Sequence, residues 1–497
     1  MSVIGFSAKL AAQLYKRRID SWKNNAVALQ EKEFGRLLEK GTQTSFGQDH
    51  SFAGIRTYDD FRKHVPLRDY ETLSPYIKRA GKGEKNVLWP GKPKYFAKTS
   101  GTTSGAKYIP ITGDSMPNHI NSTRYALLNY INSTGKTAFL DGNYIFLSWS
   151  PKLEDHNGIP TGRLSGIVNH HVPNYLKKRQ MPSWEVNCIT DWEKKLDAVV
   201  DETINKNMSL ISGIPPWVEM YFEKLLERSG KPSIPELFPG FKLFVYGGVN
   251  FKPYEQKFRL LAGDNIDLLE IFPASEGFLA FQDEFPSSGL LLIPDAGIFY
   301  EFIPLDKFLD GVHERIQLAD VKTGVSYVII LNTNAGMWGY NIGDTVEFVS
   351  TDPYRIIVNG RIGQFISAFG EHVIAEEVES AIGEVSEITG AGITEFTVAP
   401  LMENPGGRPC HEWLIEFSEV PPSTEDFRRE LDLIMRNKNS DYNDLIEGKI
   451  MQPLIIREMP QNSFANYMDS IGKLGGQSKV PHLRNDRDMA DALYNYL

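Results

Sequence analysis

The sequence predicts an α/β fold, with a large N-terminal domain of layered β-sheets and helices and a smaller mobile α+β C-terminal domain. Apolar strand-like runs alternate with helical patterns between residues 242 and 277, a rhythm typical of layered α/β domains. The chain has 497 residues, which is too long for a single hydrophobic core of ordinary size. Two glycines flank an arginine within Asn359–Gln364, which favours a boundary where torsions change easily. We therefore expect an N-terminal domain over 1–359, a hinge over 360–364 and a C-terminal domain over 365–497.

Composition narrows the class of protein. Hydrophobic residues make up 41% and charged residues 23% of the chain, as in globular proteins. The formal net charge is −10, so we expect neither a nucleic acid nor a membrane as partner. Cys188 and Cys410 fit no disulfide framework or metal spacing. No apolar run reaches the length of a signal peptide core or a membrane span. A cytoplasmic location is expected.

Periodicity locates the individual elements. Residues 6–40 are predicted to form one or two helices, and the other predicted helices are 58–79 with breaks at Pro66 and Pro75, 116–130, 192–207, 215–226, 254–261, 371–382 and 424–437. The predicted strands are 108–111, 144–149, 242–246, 267–272, 298–303, 327–331, 345–349, 354–358 and 413–417. Residues 150–171 are expected to be irregular.

A stretch rich in hydroxyl groups and glycine, Thr99–Lys107, precedes the first predicted strand. Its members are Thr99, Ser100, Gly101, Thr102, Thr103, Ser104, Gly105, Ala106 and Lys107. Glycines allow successive backbone N–H groups to surround an anion, hydroxyls add donors, and the lysine supplies a positive charge. The spacing differs from that of the common nucleotide-binding P-loop. The stretch indicates a phosphate site, and a flexible surface loop is the alternative.

Further polar groups follow strand ends or lie near the C-terminus. In layered α/β sheets, ligands collect beyond the carboxyl ends of strands. Gly247-Gly248 and Ser275-Glu276 occupy that position. Asp344 ends a predicted turn at Gly339–Asp344, where an ordinary turn residue is the alternative. Lys473 and Lys479 lie in a glycine-rich segment, for which a solvated tail is the alternative.

The order of these features resembles the acyl-adenylate-forming superfamily of firefly luciferase and the acyl-CoA synthetases. Within it, the chain is most similar to the auxin-responsive plant acyl acid amido synthetases and their bacterial relatives. The matching motifs are Thr99–Lys107, Phe272-Pro273-Ala274-Ser275-Glu276, Tyr340-Asn341-Ile342-Gly343-Asp344 and Gln477-Ser478-Lys479-Val480-Pro481. The stretches 65–90, 297–304 and 318–344 also resemble this family.

The chain departs from the family patterns at three positions, two of which lie in these motifs. Phe272 replaces a tyrosine and Asn341 replaces an arginine. Gly363 stands where the wider superfamily often has aspartate. These changes remove a hydroxyl group, a positive charge and a carboxylate respectively.

The resemblance implies that the protein is a ligase that uses ATP and Mg²⁺. It would convert a carboxylic acid to an acyl-AMP with release of pyrophosphate, then transfer the acyl group to an amine, expected to be an amino acid. In this interpretation Lys479, Lys107 and Glu276 are catalytic, and Glu276 binds Mg²⁺. The residues expected to bind the nucleotide are Thr99, Ser100, Gly101, Thr102, Thr103, Gly105, Phe272, Ser275, Asp344 and Arg361.

The acyl group is expected between the helix 116–130 and the end of the strand 242–246. The candidate residues there are Arg124, Gly247, Gly248 and Val249. Two alternatives share the motifs: an acyl-CoA ligase that uses the same adenylate, and an inactive regulator that binds a nucleotide or acyl group. The identities of acid and amine, and the oligomeric state, including a monomer, are left open by the sequence.

Overall fold

The computed structural model describes the chain from residue 2 onward, except residues 100–106, 149, 191, 249–250, 363–364, 367–372, 402–407, 448–450, 474–478 and 485. The side chains of residues 175, 192–193, 216, 252–253, 361, 365, 440–441 and 444 also lie outside the description.

Helices occur along the whole described chain. They are α1 (Val3–Gly41), α2 (Ser45–Asp49), α3 (Tyr58–His64), α4 (Tyr70–Gly81), α5 (Met116–Thr134), α6 (Leu164–His170), α7 (Asn174–Lys177), α8 (Trp184–Asn187), α9 (Trp192–Thr203), α10 (Pro215–Ser229), α11 (Ile234–Leu237), α12 (Lys252–Ala262), α13 (Leu305–Leu309), α14 (Ala375–Thr389), α15 (Thr424–Lys438), α16 (Ser440–Glu447), α17 (Ser463–Ser470) and α18 (Asp488–Leu493). Within the described residues, none of these helices is both long and apolar enough to cross a bilayer.

The strands are distributed between the helices. They are β1 (Tyr95–Thr99), β2 (Lys107–Ile111), β3 (Asn143–Phe146), β4 (Glu154–His156), β5 (Ile159–Gly162), β6 (Gln180–Met181), β7 (Met208–Ser212), β8 (Leu243–Tyr246), β9 (Asp267–Pro273), β10 (Phe278–Gln282), β11 (Leu290–Leu292), β12 (Ile298–Pro304), β13 (Ile316–Gln317), β14 (Ser326–Thr333), β15 (Tyr340–Thr351), β16 (Tyr354–Arg361), β17 (Phe365–Ile366), β18 (Val373–Ile374), β19 (Gly392–Leu401), β20 (Cys410–Glu419) and β21 (Ile455–Met459).

By their contacts, the described residues form a larger N-terminal unit and a smaller C-terminal unit. The N-terminal unit comprises residues 1–213, 235–248 and 265–358, and the C-terminal unit comprises 214–234, 249–264 and 359–497. The α/β fold class is confirmed. One division falls beside residue 359, but α10 and α12 group with the C-terminal residues, because buried Phe258 and Tyr254 belong to a helix that contacts α14 and β19. The functional roles assigned to the domains and to the hinge remain predictions.

A large mixed sheet forms the frame of the N-terminal unit. Its strand order is β13-β12-β14-β15-β16-β11-β10-β9-β8-β7-β3-β6 among the described residues. β8 pairs in parallel with β7 and β9, as the alternating pattern predicts. From β9 onward the chain turns back as the antiparallel hairpin β9–β10. Helix α5 packs on this part of the sheet, and α1 packs on α5 and β12.

A second sheet of the N-terminal unit has the order β2-β1-β5-β4. Residues 154–170 contribute β4, β5 and α6 to the structure, so the prediction of an irregular stretch there was wrong. The buried side chains of Ile159, Leu164 and Ile167 provide the apolar contacts that order this stretch.

The predicted break at Pro75 was also wrong, because Pro75 lies inside α4. Proline removes one backbone donor from a helix, but Leu73, Ile77 and Ala80 are buried along this helix. Packing of that apolar face therefore outweighs the local effect of the proline.

The C-terminal unit is built around the sheet β19-β20-β21. Its core includes Val378 and Ile382 from α14, Trp413 from β20 and Leu431 from α15. The predicted α+β character of this part of the chain is confirmed.

Candidate active site

The Thr99–Lys107 stretch joins β1 to β2 in an antiparallel hairpin. Thr99 pairs directly with Lys107, so the two ends of the stretch are held side by side. The five predicted site residues between them, Ser100, Gly101, Thr102, Thr103 and Gly105, lie outside the described residues. The hairpin therefore fixes where the predicted phosphate loop begins and ends.

Tyr70 supports the base of this hairpin. The Tyr108 N–H donates to the Tyr70 hydroxyl at 2.9 Å. The Lys107 ammonium lies 5.8 Å from the centre of the Tyr70 ring, within the range of a cation–π contact. Tyr70 is buried, so the lysine ammonium lies near a ring that is held in place by its surroundings.

The segment that carries Tyr70 also pairs with the start of β15. The Arg68 N–H donates to the Gly339 carbonyl at 2.8 Å, and the Asn341 N–H donates to the Arg68 carbonyl at 2.8 Å. Arg68 and Tyr70 are two residues apart. Residues 68–70 therefore connect the base of the predicted phosphate loop to the segment that contains Asp344. The sequence motifs did not predict this connection.

Asp344 lies inside a continuous strand, so the predicted turn at Gly339–Asp344 was wrong. The pairing of β14 with β15 shifts register between Val328 and Ile330, opposite Asn341–Thr345. Such a bulge turns side chains away from the regular alternation of a strand. Gly343 has φ of +85°, a conformation that glycine adopts without strain. The Asp344 side chain is largely buried, with 8% of the residue exposed.

Asn341 has a structural role in this bulge. Its Oδ1 accepts a hydrogen bond from the Gly343 N–H at 2.8 Å. Arginine has no acceptor group, so it could not make this contact. The departure from the family pattern at Asn341 is thus coupled to the local backbone.

Ser275 and Glu276 lie at the tip of the tight turn between β9 and β10. Reciprocal backbone hydrogen bonds close the turn: Ala274 N–H to Gly277 O at 2.8 Å and Gly277 N–H to Ala274 O at 3.2 Å. Both side chains are half-buried. A Cβ on Gly277 would lie 2.4 Å from the Ile298 Cδ1 atom, so this turn packs tightly against β12.

One apolar cluster connects this turn with the bulge. Phe272 and Ile298 belong to the cluster, and Ala274 and Ile342 pack against it. The sequence predicts that the Phe272 ring stacks on adenine. The ring is buried in this cluster, with 7% of the residue exposed, and the adenine contact remains a prediction.

The predicted acyl-site glycines follow β8, immediately beside β9. Tyr246 pairs with Glu270, so Gly247 and Gly248 lie next to Ile271 and Phe272. A Cβ on Gly247 would lie only 2.1 Å from the Ile271 carbonyl oxygen. Val249 lies outside the described residues, and the Arg124 side chain on α5 is exposed.

Replacement of Gly247 by alanine should therefore destabilise the protein. The new methyl group would meet backbone rather than a flexible side chain, and overpacking of this kind costs about 1–3 kcal/mol. We expect a lower denaturation midpoint in chemical unfolding. Gly54→Ala is the matched control, since a Cβ there meets nothing within 4 Å. Equal stabilities of the two variants would contradict the close approach of β8 and β9.

Glu270 is a candidate that sequence reasoning missed. It lies two residues before Phe272 in β9, and burial raises the pKa of its carboxyl group to about 7. A carboxyl group poised near neutral pH can accept a proton. The strand pattern alone gives no signal for this, because Glu270 reads as a polar position in an amphipathic strand.

In the C-terminal unit, the segment after Lys479 runs beside β19. The Thr397 hydroxyl donates to the Pro481 carbonyl at 2.6 Å. The Val398 N–H donates to His482 O at 2.9 Å, and the Arg484 N–H donates to Val398 O at 2.9 Å. Residues 481–484 are thus anchored to the sheet, while the Lys479 side chain is exposed. Arg361 ends β16, and its side chain lies outside the described residues.

Family models match most of the chain. The GH3 family N-terminal domain matches residues 15–197, the GH3 family central domain matches 291–361, and the GH3 family C-terminal domain matches 376–488. These three matches contain the Thr99–Lys107 stretch, the Tyr340–Asp344 motif and Lys479.

Individual relatives agree with this result, and a solved structure shares the fold. A probable indole-3-acetic acid-amido synthetase of Oryza sativa subsp. japonica is 30% identical over 545 aligned residues, covering 92% of this chain and 87% of that protein. A jasmonoyl–L-amino acid synthetase of Nicotiana attenuata is 23% identical, covering 65% of this chain and 67% of that protein. An acyl acid amido synthetase solved in complex with 2,4-DB superposes with a TM-score of 0.79 at 16% identity, covering 98% of this chain and 96% of that chain. The chain belongs to the GH3 family, whose named members here are acyl acid amido synthetases.

Proposed function

We propose that this protein activates a carboxylic acid with ATP and transfers the acyl group to an amino acid. In the first step, a carboxylate oxygen bonds to the α-phosphorus of ATP and the bond to pyrophosphate breaks. In the second step, the amine attacks the acyl carbonyl, AMP leaves, and an amide forms with loss of a proton. Family membership and the relatives' activities support both steps.

The observation that carries the proposal is the connection between two distant motifs in the N-terminal unit. Residues 68–70 touch the base of the Thr99–Lys107 loop on one side and the Asn341–Asp344 bulge on the other. This arrangement supports one nucleotide site, with phosphates held at the loop and ribose at Asp344. Preorganised donors of this kind stabilise charge that develops during adenylation.

Each predicted residue has a proposed role in adenylation. Hydroxyl and backbone N–H groups of Thr99, Ser100, Gly101, Thr102, Thr103 and Gly105, with the Lys107 ammonium, would hold the β- and γ-phosphates. Phe272 would stack on the adenine, and Ser275 would contact the nucleotide. Asp344 would accept from the ribose hydroxyls, and Arg361 would contact the ribose or the α-phosphate. Lys479 would stabilise negative charge on the α-phosphate as the anhydride forms. Arg124, Gly247, Gly248 and Val249 remain the proposed acyl-site residues.

Glu276 is the proposed ligand of Mg²⁺. Its carboxylate is a hard oxygen donor, and it lies half-buried at a turn whose backbone is fixed by two hydrogen bonds. This fits a cation that binds through one or two carboxylates together with substrate phosphates. Bound magnesium would supply neutralisation of the phosphate charge, and the protein's part is to hold the carboxylate in place.

A cytoplasmic location is part of the proposal. Cys188 and Cys410 are both free thiols, which suits a reducing compartment.

Product analysis tests the proposed function. The purified protein would be incubated with ATP, Mg²⁺ and a panel of carboxylic acids that includes indole-3-acetic and jasmonic acids. Parallel reactions would contain the standard amino acids, coenzyme A, or neither, with detection by mass spectrometry. We expect AMP, pyrophosphate and an acyl–amino acid amide. Formation of a thioester alone would contradict the amide step, and absence of AMP with every acid would contradict adenylation.

A further inference from the structure

His482 lies three residues after Lys479 and is buried between two carboxylates. Only 5% of the residue is exposed. Its Nδ1 lies 2.8 Å from Oε1 of Glu379 on α14, and its Nε2 lies 3.0 Å from Oε1 of Glu395 on β19. The Glu395 carboxylate also accepts a hydrogen bond from the Tyr254 hydroxyl on α12. The imidazole ring thus connects the C-terminal segment to two other elements of the C-terminal unit.

The partners of His482 determine its protonation. An ionised carboxylate only accepts hydrogen bonds, so both ring nitrogens must donate and the ring is an imidazolium. Burial alone would lower the pKa of His482, but the hydrogen bonds and charges of Glu379 and Glu395 outweigh it and raise the pKa to about 10. The ring also stacks on Phe396, with centroids 4.3 Å apart and planes at 19°. These contacts with Glu379, Glu395 and Phe396 therefore fix the orientation of the His482 side chain.

The backbone around His482 is fixed as well. Pro481 and His482 both accept hydrogen bonds from β19, and Leu483 pairs with Val398 as an isolated parallel bridge. Only Val480 and Pro481 separate His482 from Lys479, and proline restricts the backbone torsion at its own position. The location of His482 therefore limits where the Lys479 side chain can reach.

We propose that His482 is a positioning residue for Lys479: held between Glu379 and Glu395, it fixes the C-terminal segment on β19 and so sets the position of the lysine ammonium. This inference rests on the proposed function, in which Lys479 acts during adenylation. A misplaced ammonium would stabilise the transition state less while leaving substrate binding nearly unchanged.

The direct test is His482→Gln in the full chain, measured by acid-dependent exchange of pyrophosphate into ATP. We expect kcat for adenylation to fall about 10-fold or more while KM for ATP stays within about twofold, the pattern of a lost transition-state interaction. His482→Arg should recover part of the rate, since its fork can donate to both carboxylates. The matched control is His411→Gln, a second buried histidine of the C-terminal unit. An equal loss of kcat in the control would contradict the inference.

A double variant separates this inference from the proposed function. If His482 acts through Lys479, adding His482→Gln to Lys479→Ala should reduce the rate no further. Additive losses would overturn the inference. Wild-type exchange in Lys479→Ala alone would instead overturn the role of the lysine. If His482→Gln fails to fold, as judged by circular dichroism, Glu379→Gln replaces it, with the same expected kcat loss and the same double-variant criterion.

Discussion

Lys479→Ala should lose adenylation activity by about 100- to 1,000-fold, the range for removing one charge-stabilising donor from a transition state. The side chain is exposed and carried on a segment anchored to β19, so its removal should leave the fold intact. ATP affinity should change little, because the ammonium acts mainly on charge that develops at the α-phosphate. Acid-dependent pyrophosphate exchange, together with calorimetric titration of ATP, measures both quantities.

Lys473→Ala is the matched control for this prediction. Lys473 is also exposed and lies in the same part of the chain. We expect it to retain the wild-type exchange rate. Exchange near the wild-type rate in Lys479→Ala would remove this lysine from the mechanism.

Asp344→Ala should weaken ATP binding by about 10- to 100-fold, because a hydrogen bond to a charged group contributes roughly 1.5–3 kcal/mol. The carboxylate lies in the β15 bulge. The positive φ of Gly343 and its hydrogen bond to Asn341 fix the backbone there. Calorimetric titration with ATP measures the affinity directly. A titration with AMP should show the same loss, since the ribose is common to both nucleotides.

Two comparisons keep this result interpretable. Glu347→Ala lies on the same strand and is half-buried, and it should bind ATP as the wild type does. Thermal unfolding of Asp344→Ala should show that the folded state persists under titration conditions. Unchanged ATP affinity in a folded Asp344→Ala protein would refute the ribose assignment.

Element types were largely predictable from local patterns, because periodicity records which face of an element is buried. The helical stretch predicted over residues 6–40 as one or two helices is observed as Val3–Gly41, with non-helical torsions at Asn25. The helix predicted over 424–437 is observed as Thr424–Lys438. The strand over 267–272 is observed as Asp267–Pro273. Each of these elements buries apolar residues in a core: Trp22 from α1, Leu269 from β9 and Leu431 from α15.

The errors arose where tertiary packing decides the local structure. Glycine and asparagine at 341–343 indicate a turn, but pairing with β14 on one side and Arg68 on the other keeps this segment in a strand. Helices α10 and α12 precede the predicted domain boundary at residue 359, yet α12 packs with α14 and β19 of the C-terminal unit. Local sequence patterns do not reveal contacts with residues that are distant in the sequence.

The sequence motifs identified candidate site residues but did not show which residues contact them in the folded chain. The resemblance named Lys107, Asp344 and Lys479, while the linking residues Arg68 and Tyr70 lie in the similar stretch 65–90, to which the resemblance assigned no role. Likewise, His482 reads as an ordinary tail residue, since Glu379 and Glu395 approach it only in the folded chain. Residues that position a site are therefore the part that sequence reasoning missed.

The central claim is that the motifs bind one ATP molecule and that the protein uses it to convert a carboxylic acid to an acyl-AMP. Exchange of labelled pyrophosphate into ATP, measured with and without each acid of the panel, tests it most directly because the assay needs no amine. We predict exchange that requires both an acid and Mg²⁺ and that is lost in Lys479→Ala. Exchange that is independent of acid, or absent with every acid in a folded protein that binds ATP, would contradict the claim.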